Sequence, residues 1–237
     1  MCGRLNVIDD PLVTDLCGYL GVQLNLGDET VGVSAFNFRR FIRATDTVGI
    51  IREVNGKRIF EQATWWLLLE QTETGFKPSK YTSFNTRYDK LNTPRSAGFR
   101  AFRQSRCIVP VKGFGETEGK GSNAVYTDFE GTDSAIALGG LCREWIHSQT
   151  GERVLSCSVI TLPPHHKLKR YHQKSMPMIL NQHDDSMQMW LDSSLTDVSV
   201  FDALLQPYLP QDLFAQRIDK PSTYVPMEER AVIAADG

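Results

Sequence analysis

The sequence predicts an α+β fold, a single β-rich domain, and three observations carry that prediction. Short apolar runs bounded by Gly, Asn or Asp recur along the chain, the pattern of brief strands joined by tight turns. Helical periodicity is confined to a few short stretches. The 237 residues contain no internal repeat, low-complexity tract or linker that would mark a boundary, so one domain spanning residues 1–237 is expected.

Asp10-Pro11 followed by Leu12, Leu16, Cys17 and Leu20 supplies an N-cap, a first-turn proline and an apolar stripe, hence a helix. Apolar runs at 48–51 and 58–60 flank Asn55-Gly56, which predicts a hairpin over 47–61. Residues 71–95 are polar and aperiodic and read as a long loop. A short helix is expected within 97–106, and strands at 107–112, 123–128, 134–141 and 153–161. Gly113-Phe114-Gly115 reads as a strand break that turns Glu116 toward a pocket. After Pro163-Pro164 a short helix ends near His172, where the helix dipole favours the protonated ring. A strand at 177–180 and helices at 184–192 and 198–205 follow. The tail beyond Pro226 is expected to be loosely held.

With 41% hydrophobic and 23% charged residues, the composition is that of an ordinary globular protein. No run approaches the ~18 apolar residues of a membrane span. The opening MCGRLNVIDD lacks the apolar core of a signal peptide, so a soluble, cytoplasmic protein with no membrane partner is expected. Lys plus Arg is 26 and Asp plus Glu 28, a net charge of −2, so a polyanion site must be a local patch. The five cysteines are odd in number and lack a CxxC spacing. That argues against a disulfide framework or a zinc knuckle, and no metal or cofactor is expected. Cys17, Cys107, Cys142 and Cys157 read as buried thiols.

Cys2 is different. Its small side chain suits removal of Met1, which would leave an α-amine with a reference pKa of about 7.7–8.0 beside a thiol near 8.5. Such a 1,2-aminothiol matches an aldehyde: the amine forms a Schiff base, and the thiolate closes on it to give a thiazolidine. From position alone, Cys2 more often reads as a small residue at a frayed end.

Four ordered segments change that reading. Met1-Cys2-Gly3-Arg4, Phe84-Asn85-Thr86-Arg87, the run from Arg106-Cys107-Ile108-Val109-Pro110 to Gly113-Phe114-Gly115-Glu116, and Tyr171-His172-Gln173-Lys174-Ser175-Met176-Pro177 resemble motifs of the SOS-response-associated peptidase (SRAP) family. Leu138-Gly139-Gly140-Leu141 and Trp190-Leu191 fall where that family has related segments, so the resemblance spans residues 2 to about 191. It implies twisted sheets or a partly open barrel with peripheral helices. It also implies a protein that crosslinks its N-terminal cysteine to abasic sites in single-stranded DNA, acting as a monomer and nucleoid-associated when bound. The resemblance makes Cys2, Asn85, Glu116 and His172 the active-site set, with Arg4 and Arg87 meeting DNA. This chain departs from the pattern at Leu5, at 41–45, where an asparagine and a proline are lost, and at Thr117, which replaces a tryptophan.

Taken singly, an Asn, Glu or His is most often structural or solvated, and His165 and His166 read as solvated residues at a helix start. Arg39, Arg40 and Arg43 interleave with Phe38 and Phe41. Arg95, Arg100, Arg103 and Arg106 interleave with Phe99 and Phe102, and Lys167, Lys169, Arg170 and Lys174 surround His172. Phosphate contact and base stacking need such mixtures. Two other classes remain open at this point. A cysteine peptidase or autoprotease using Cys2 would turn over peptides without a DNA adduct, and a non-catalytic single-strand-binding module would ignore the abasic sugar. Strand cleavage through the imine, a lyase activity, is a side branch of the crosslinking reading.

Overall fold

The computed structural model describes residues 3–7, 11–22 and 39–237. Met1, Cys2 and the helix cap at Asp10 lie outside the described residues, as does Phe38. The strands are β1 (Arg4–Val7), β2 (Arg39–Arg43), β3 (Thr47–Val54), β4 (Lys57–Thr64), β5 (Leu69–Gln71), β6 (Phe76–Pro78), β7 (Asn85–Arg87), β8 (Arg106–Val111), β9 (Gly113–Glu118), β10 (Val125–Gly131), β11 (Ile136–Ile146), β12 (Arg153–Leu162), β13 (Met176–Pro177), β14 (Leu213–Ile218) and β15 (Ala231–Ile233). Helices α1 (Pro11–Tyr19), α2 (Phe99–Gln104) and α3 (Ser186–Leu191) are short. The predicted α+β class, rich in strands, is what folds.

β3, β4, β8, β11 and β12 form a closed five-stranded barrel. The order β11-β8-β3-β4-β12 returns on itself because β12 also pairs with β11 from Gly140↔Val159 to Ile146↔Arg153. Closure leaves no free edge among these five strands. The expected hairpin is β3 and β4, turned at Asn55 (φ 52) and Gly56 (φ 72), the left-handed pair a two-residue turn requires. β8 is buried on every residue, and Cys107, Cys142 and Cys157 lie in the core with Cys17 of α1.

The second sheet has the order β15-β14-β10-β9-β1-β2. β8 and β9 are nearly continuous: the chain leaves the barrel at Lys112, whose amide donates to Asn6 O (2.8 Å), and enters this sheet at Gly113. The expected strand break at 113–115 is therefore a strand. Its glycines reflect crowding rather than turning, because a Cβ on Gly115 would lie 2.5 Å from the Arg4 guanidinium and 2.6 Å from Asp128 Oδ1.

Other expectations also need correction. The aperiodic 71–95 region contains β6 and β7, and β7 pairs in parallel with β12 (Asn85↔Val159). The helix expected before His172 is only a 3-10 turn at His166–Leu168, and 198–205 is likewise 3-10. The tail beyond Pro226 is not loose. β15 pairs with β14, Asp236 N donates to Leu209 O (2.9 Å), and Asp236 accepts from both Leu209 N and Lys167. Among the described residues, no helix is long and apolar enough to cross a membrane.

Candidate active site

Alternation along β9 places Glu116 and Glu118 on one face and Thr117 on the other. Glu116 lies opposite Thr127 of β10, and both are buried. One step along the same face, Phe114 stacks on Phe129 (5.0 Å), and Tyr171 packs edge-on against Phe129 (5.6 Å). That contact, with the amides of Tyr171 and His172 both donating to Leu168 O, delivers His172 onto Glu116.

His172 Nε2 lies 3.5 Å from Glu116 Oε2, and its Nδ1 lies 3.0 Å from Glu118 Oε2. Both His172 and Glu116 are 2% exposed. Burial pushes the Glu116 carboxyl up to about 7, against the pull of Arg4. Burial pushes the His172 ring down to about 4, with Lys174 adding to the effect and Glu118 opposing it. The expected dipole-stabilised imidazolium is thus corrected. No α-helix ends at His172, and desolvation decides its charge. At neutral pH the site holds a neutral imidazole beside a carboxyl that exchanges its proton. Thr127 Oγ1, next to Glu116 across the strands, has no hydrogen-bond partner among the described residues.

The two residues flanking this pair in the predicted set enter from other elements. Asn85 is half-buried on β7, which is fixed by Val159 N and Trp65 Nε1 donating to Phe84 O (3.0 and 2.8 Å). β13, the strand that follows the His172 segment, pairs with the same end of β12 at Leu162↔Met176. Cys2 lies outside the described residues. Its neighbour Gly3 donates its amide to Gly115 O (3.4 Å), one residue from Glu116.

The arginines divide. Arg4, expected at phosphate, is 6% exposed and turned to the opposite face. There it donates to Asp128 Oδ1 (2.8 Å), Thr117 Oγ1 (2.9 Å) and Glu116 O (3.2 Å). Its charge is committed to a buried ion pair, so Arg4 is a structural group that braces β9. Thr117, where the family motif has tryptophan, is part of that brace, while Leu5 and Ile42 face each other in the core. Arg106 is also structural: it donates to the carbonyls of Phe102, Trp190, Asp192 and Leu195, and Phe102 is fully buried. Arg40 stacks on Tyr224 at 3.9 Å. Arg39, Arg43, Arg87 and Lys174 are exposed, Arg87 with a bidentate contact to Asp89 (3.0 and 2.7 Å).

His165 and His166 also divide. His166 is exposed as expected, but His165 is 4% exposed with Nε2 2.8 Å from Asp236 Oδ2. Ligand atoms of the two histidines and Asp236 lie within 4.8 Å of one another, the grouping best placed to hold a metal among the described residues. However, His165 Nδ1 accepts from Lys167 N (3.3 Å), which leaves the ring proton on Nε2, directed at Asp236. That arrangement latches the C-terminal segment and turns the His165 proton, rather than a ring lone pair, toward Asp236.

The sequence reading missed Glu118 and Asp128. Glu118 was legible in the Glu-Thr-Glu alternation, which puts two carboxylates on one strand face. Asp128 carried no local signal, because its partner Arg4 lies 124 residues away.

The profile of the family described as SOS response associated peptidase (SRAP) matches residues 1–221. The chain belongs to that family. Curated relatives include the abasic site processing protein YoqW of Bacillus subtilis, 28% identical over 58% of this chain and 60% of the relative. Another is the abasic site processing protein YoaM of the same organism, 30% identical over the same shares. The matched part thus spans about 60% of the length of these relatives. Among solved structures, a protein from Bacteroides thetaiotaomicron superposes with a TM-score of 0.70 at 20% identity, covering 92% of this chain and 93% of the other. One from Bordetella bronchiseptica gives 0.68 at 20%, covering 92% and 100%. These likenesses carry the fold of the SRAP-like barrel and sheet.

Proposed function

We propose that this SRAP protein recognises abasic sites in single-stranded DNA and captures the open-chain sugar aldehyde on Cys2 after loss of Met1. The observation that carries the reading is the buried Glu116–His172 pair beside the point where β1 enters the sheet. Chain connectivity holds the α-carbon of Cys2 about 3.8 Å from that of Gly3, whose amide is bonded beside Glu116. The names of the relatives point to the same substrate.

The Cys2 amine adds to the aldehyde carbon, and loss of water gives the imine. The thiol then adds to the imine carbon; a C–S bond forms and its proton ends on the nitrogen, closing a thiazolidine. Glu116, poised near neutrality, donates a proton to the departing hydroxyl and takes one from the amine. Neutral His172 accepts and returns the proton of the sugar hydroxyl as the ring opens. Asn85 holds the sugar or the amine, and the exposed Arg39, Arg43, Arg87 and Lys174, with Arg40, lie along the strand's phosphates. If closure is slow, the imine acidifies the adjacent proton and the strand breaks by β-elimination.

Intact mass spectrometry with an abasic single strand tests the reading. The expected species has lost Met1 and gained the mass of the DNA less one water. A chain that turns over peptides and forms no such species would overturn it.

A further inference from the structure

The geometry points to a second binding site, a cleft for one nucleotide unit on the face of the second sheet turned away from Glu116. The unit is a free nucleotide or part of a single strand, and the chemistry recognised is the same: a phosphate beside a base that carries an amino group. The site stands whether or not Cys2 forms an adduct.

Alternation puts Asp128 and Glu130 of β10 on the face opposite Thr127 and Phe129. Their cross-strand partners on β14, Gln216 and Phe214, share that face. With Arg40 of β2, Tyr224 and Arg230 they line a cleft of about 250 Å³. Pockets for larger ligands run to ~300–1,000 Å³, so this one suits a single nucleotide unit. Two guanidiniums lie over aromatic rings in its walls, Arg40 on Tyr224 at 3.9 Å and Arg230 on Phe214 at 3.8 Å. Neither has a carboxylate within ion-pair distance among the described residues. Stacking holds each guanidinium plane and leaves its N–H edge for an anion. Acceptors stand beside these donors. Asp128 is committed to Arg4 and Asn6 (2.8 and 3.1 Å), so the carboxylate left for a ligand is Glu130, which accepts a long hydrogen bond from the Tyr224 hydroxyl (3.5 Å). Gln216 donates its amide nitrogen to the carbonyls of Arg217 and Glu228 (3.0 and 2.7 Å), and its amide oxygen remains an acceptor. Cationic edges for phosphate, acceptors for a base amino group and rings for stacking together match a nucleotide. Glu130 repels a bare phosphate, so the base is needed for tight binding. Tyr224 also adopts a left-handed backbone (φ 54), held by hydrogen bonds between Asp219 N and Val225 O (3.0 Å) and between Val225 N and Asp219 Oδ1 (2.8 Å). Backbone strain of this kind collects at ligand clamps.

Calorimetric titration of the full chain with dAMP, dTMP, inorganic phosphate and a short oligo(dA) strand tests the site. dAMP should bind more tightly than inorganic phosphate, and more tightly than dTMP, whose base lacks an amino group. Arg230→Ala should weaken dAMP binding about 10–100-fold, the range for losing a hydrogen bond to a charged group. Lys57→Ala removes an exposed charge at the β3–β4 turn and should leave dAMP binding unchanged. Glu130→Gln keeps an acceptor and removes the repulsion, so it should narrow the gap between dAMP and phosphate. If Arg230→Ala weakens oligo(dA) as well, the ligand is a unit of the strand; if it weakens dAMP alone, the ligand is a free nucleotide. Phosphate binding as tightly as dAMP, or a loss with Lys57→Ala equal to that with Arg230→Ala, would overturn the inference. The same titrations of the Cys2→Ala chain read the site without adduct chemistry, so a failure of the proposed crosslink leaves the dAMP result decisive.

Discussion

His172 Nε2 lies 3.5 Å from Glu116 Oε2 with both side chains almost fully enclosed, so two ionisable groups share a space that can solvate neither charge well. Their burial pushes stability in opposite directions with pH. The folded protein keeps on Glu116 a proton that the unfolded chain releases between 4.5 and about 7. That contribution is complete below the lower value and is lost as pH rises through the upper one. His172 is lowered from 6.5 to about 4, so its contribution is complete above 6.5 and is lost as pH falls through 4.

The first prediction follows from the Glu116 limb. Glu116→Gln removes a carboxylate that is costly to ionise, and should raise the melting temperature at pH 8 by several degrees, at about 2–4 °C per kcal/mol for a chain of this size. At pH 4 the gain should vanish, since the parent carboxyl is then protonated. An equal shift at both pH values would rule out burial as the cause.

How much of this was legible varies from residue to residue. The 47–61 hairpin was, because Asn-Gly between apolar runs is a local signal, and the buried thiols were, because their segments are apolar. β9 was misread because Gly113 and Gly115 look like breakers, while their actual constraint is the Arg4 guanidinium and the Phe129 carbonyl packed where side chains would be. Glu116 and His172 were named from their motifs, yet the neutral state of the ring depends on Phe129, Tyr171 and the sheet that encloses them. Arg4 was named for DNA because Asp128, far along the chain, could not be seen as its partner.

The second prediction separates the arginines. Arg4→Ala strands Asp128 as a buried charge and should cost about 3–5 kcal/mol of stability, read by denaturant unfolding. Arg87→Ala should leave stability nearly unchanged, because its side chain is 67% exposed. It should instead reduce the slope of log affinity against log salt for single-stranded DNA by up to about 0.7, the value for one phosphate contact. A salt slope that follows Arg4→Ala and ignores Arg87→Ala would reverse the assignment.

The third concerns the latch between His165 and Asp236 (2.8 Å), reinforced by Lys167 (2.8 Å). Asp236→Ala removes charged hydrogen bonds worth about 1.5–3 kcal/mol. If β15 opens as a local unit, tryptic cleavage after Arg230 should accelerate tenfold or more. Unchanged cleavage would mean that the β14–β15 pairing holds the segment by itself.

The last prediction isolates the nucleophile from the groups that serve it. In the proposed reaction only Cys2 contributes bonds to the product, so Cys2→Ala should abolish the heat-stable adduct while leaving DNA affinity intact. Cys2→Ser keeps the amine but offers a hydroxyl that closes poorly at neutral pH, so it should give only a labile imine, trappable by borohydride, with more strand cleavage. Retaining Met1, or adding one residue before Cys2, should be as damaging as alanine, because the amine and thiol no longer sit on adjacent carbons. His172→Ala should behave differently, slowing the approach to the same final yield by about 10²–10⁴, since a proton carrier leaves no atom in the crosslink. Time courses distinguish the two patterns: loss of end point for Cys2, loss of rate for His172. A full yield of stable adduct from Cys2→Ala would move the chemistry to another nucleophile and end the thiazolidine reading.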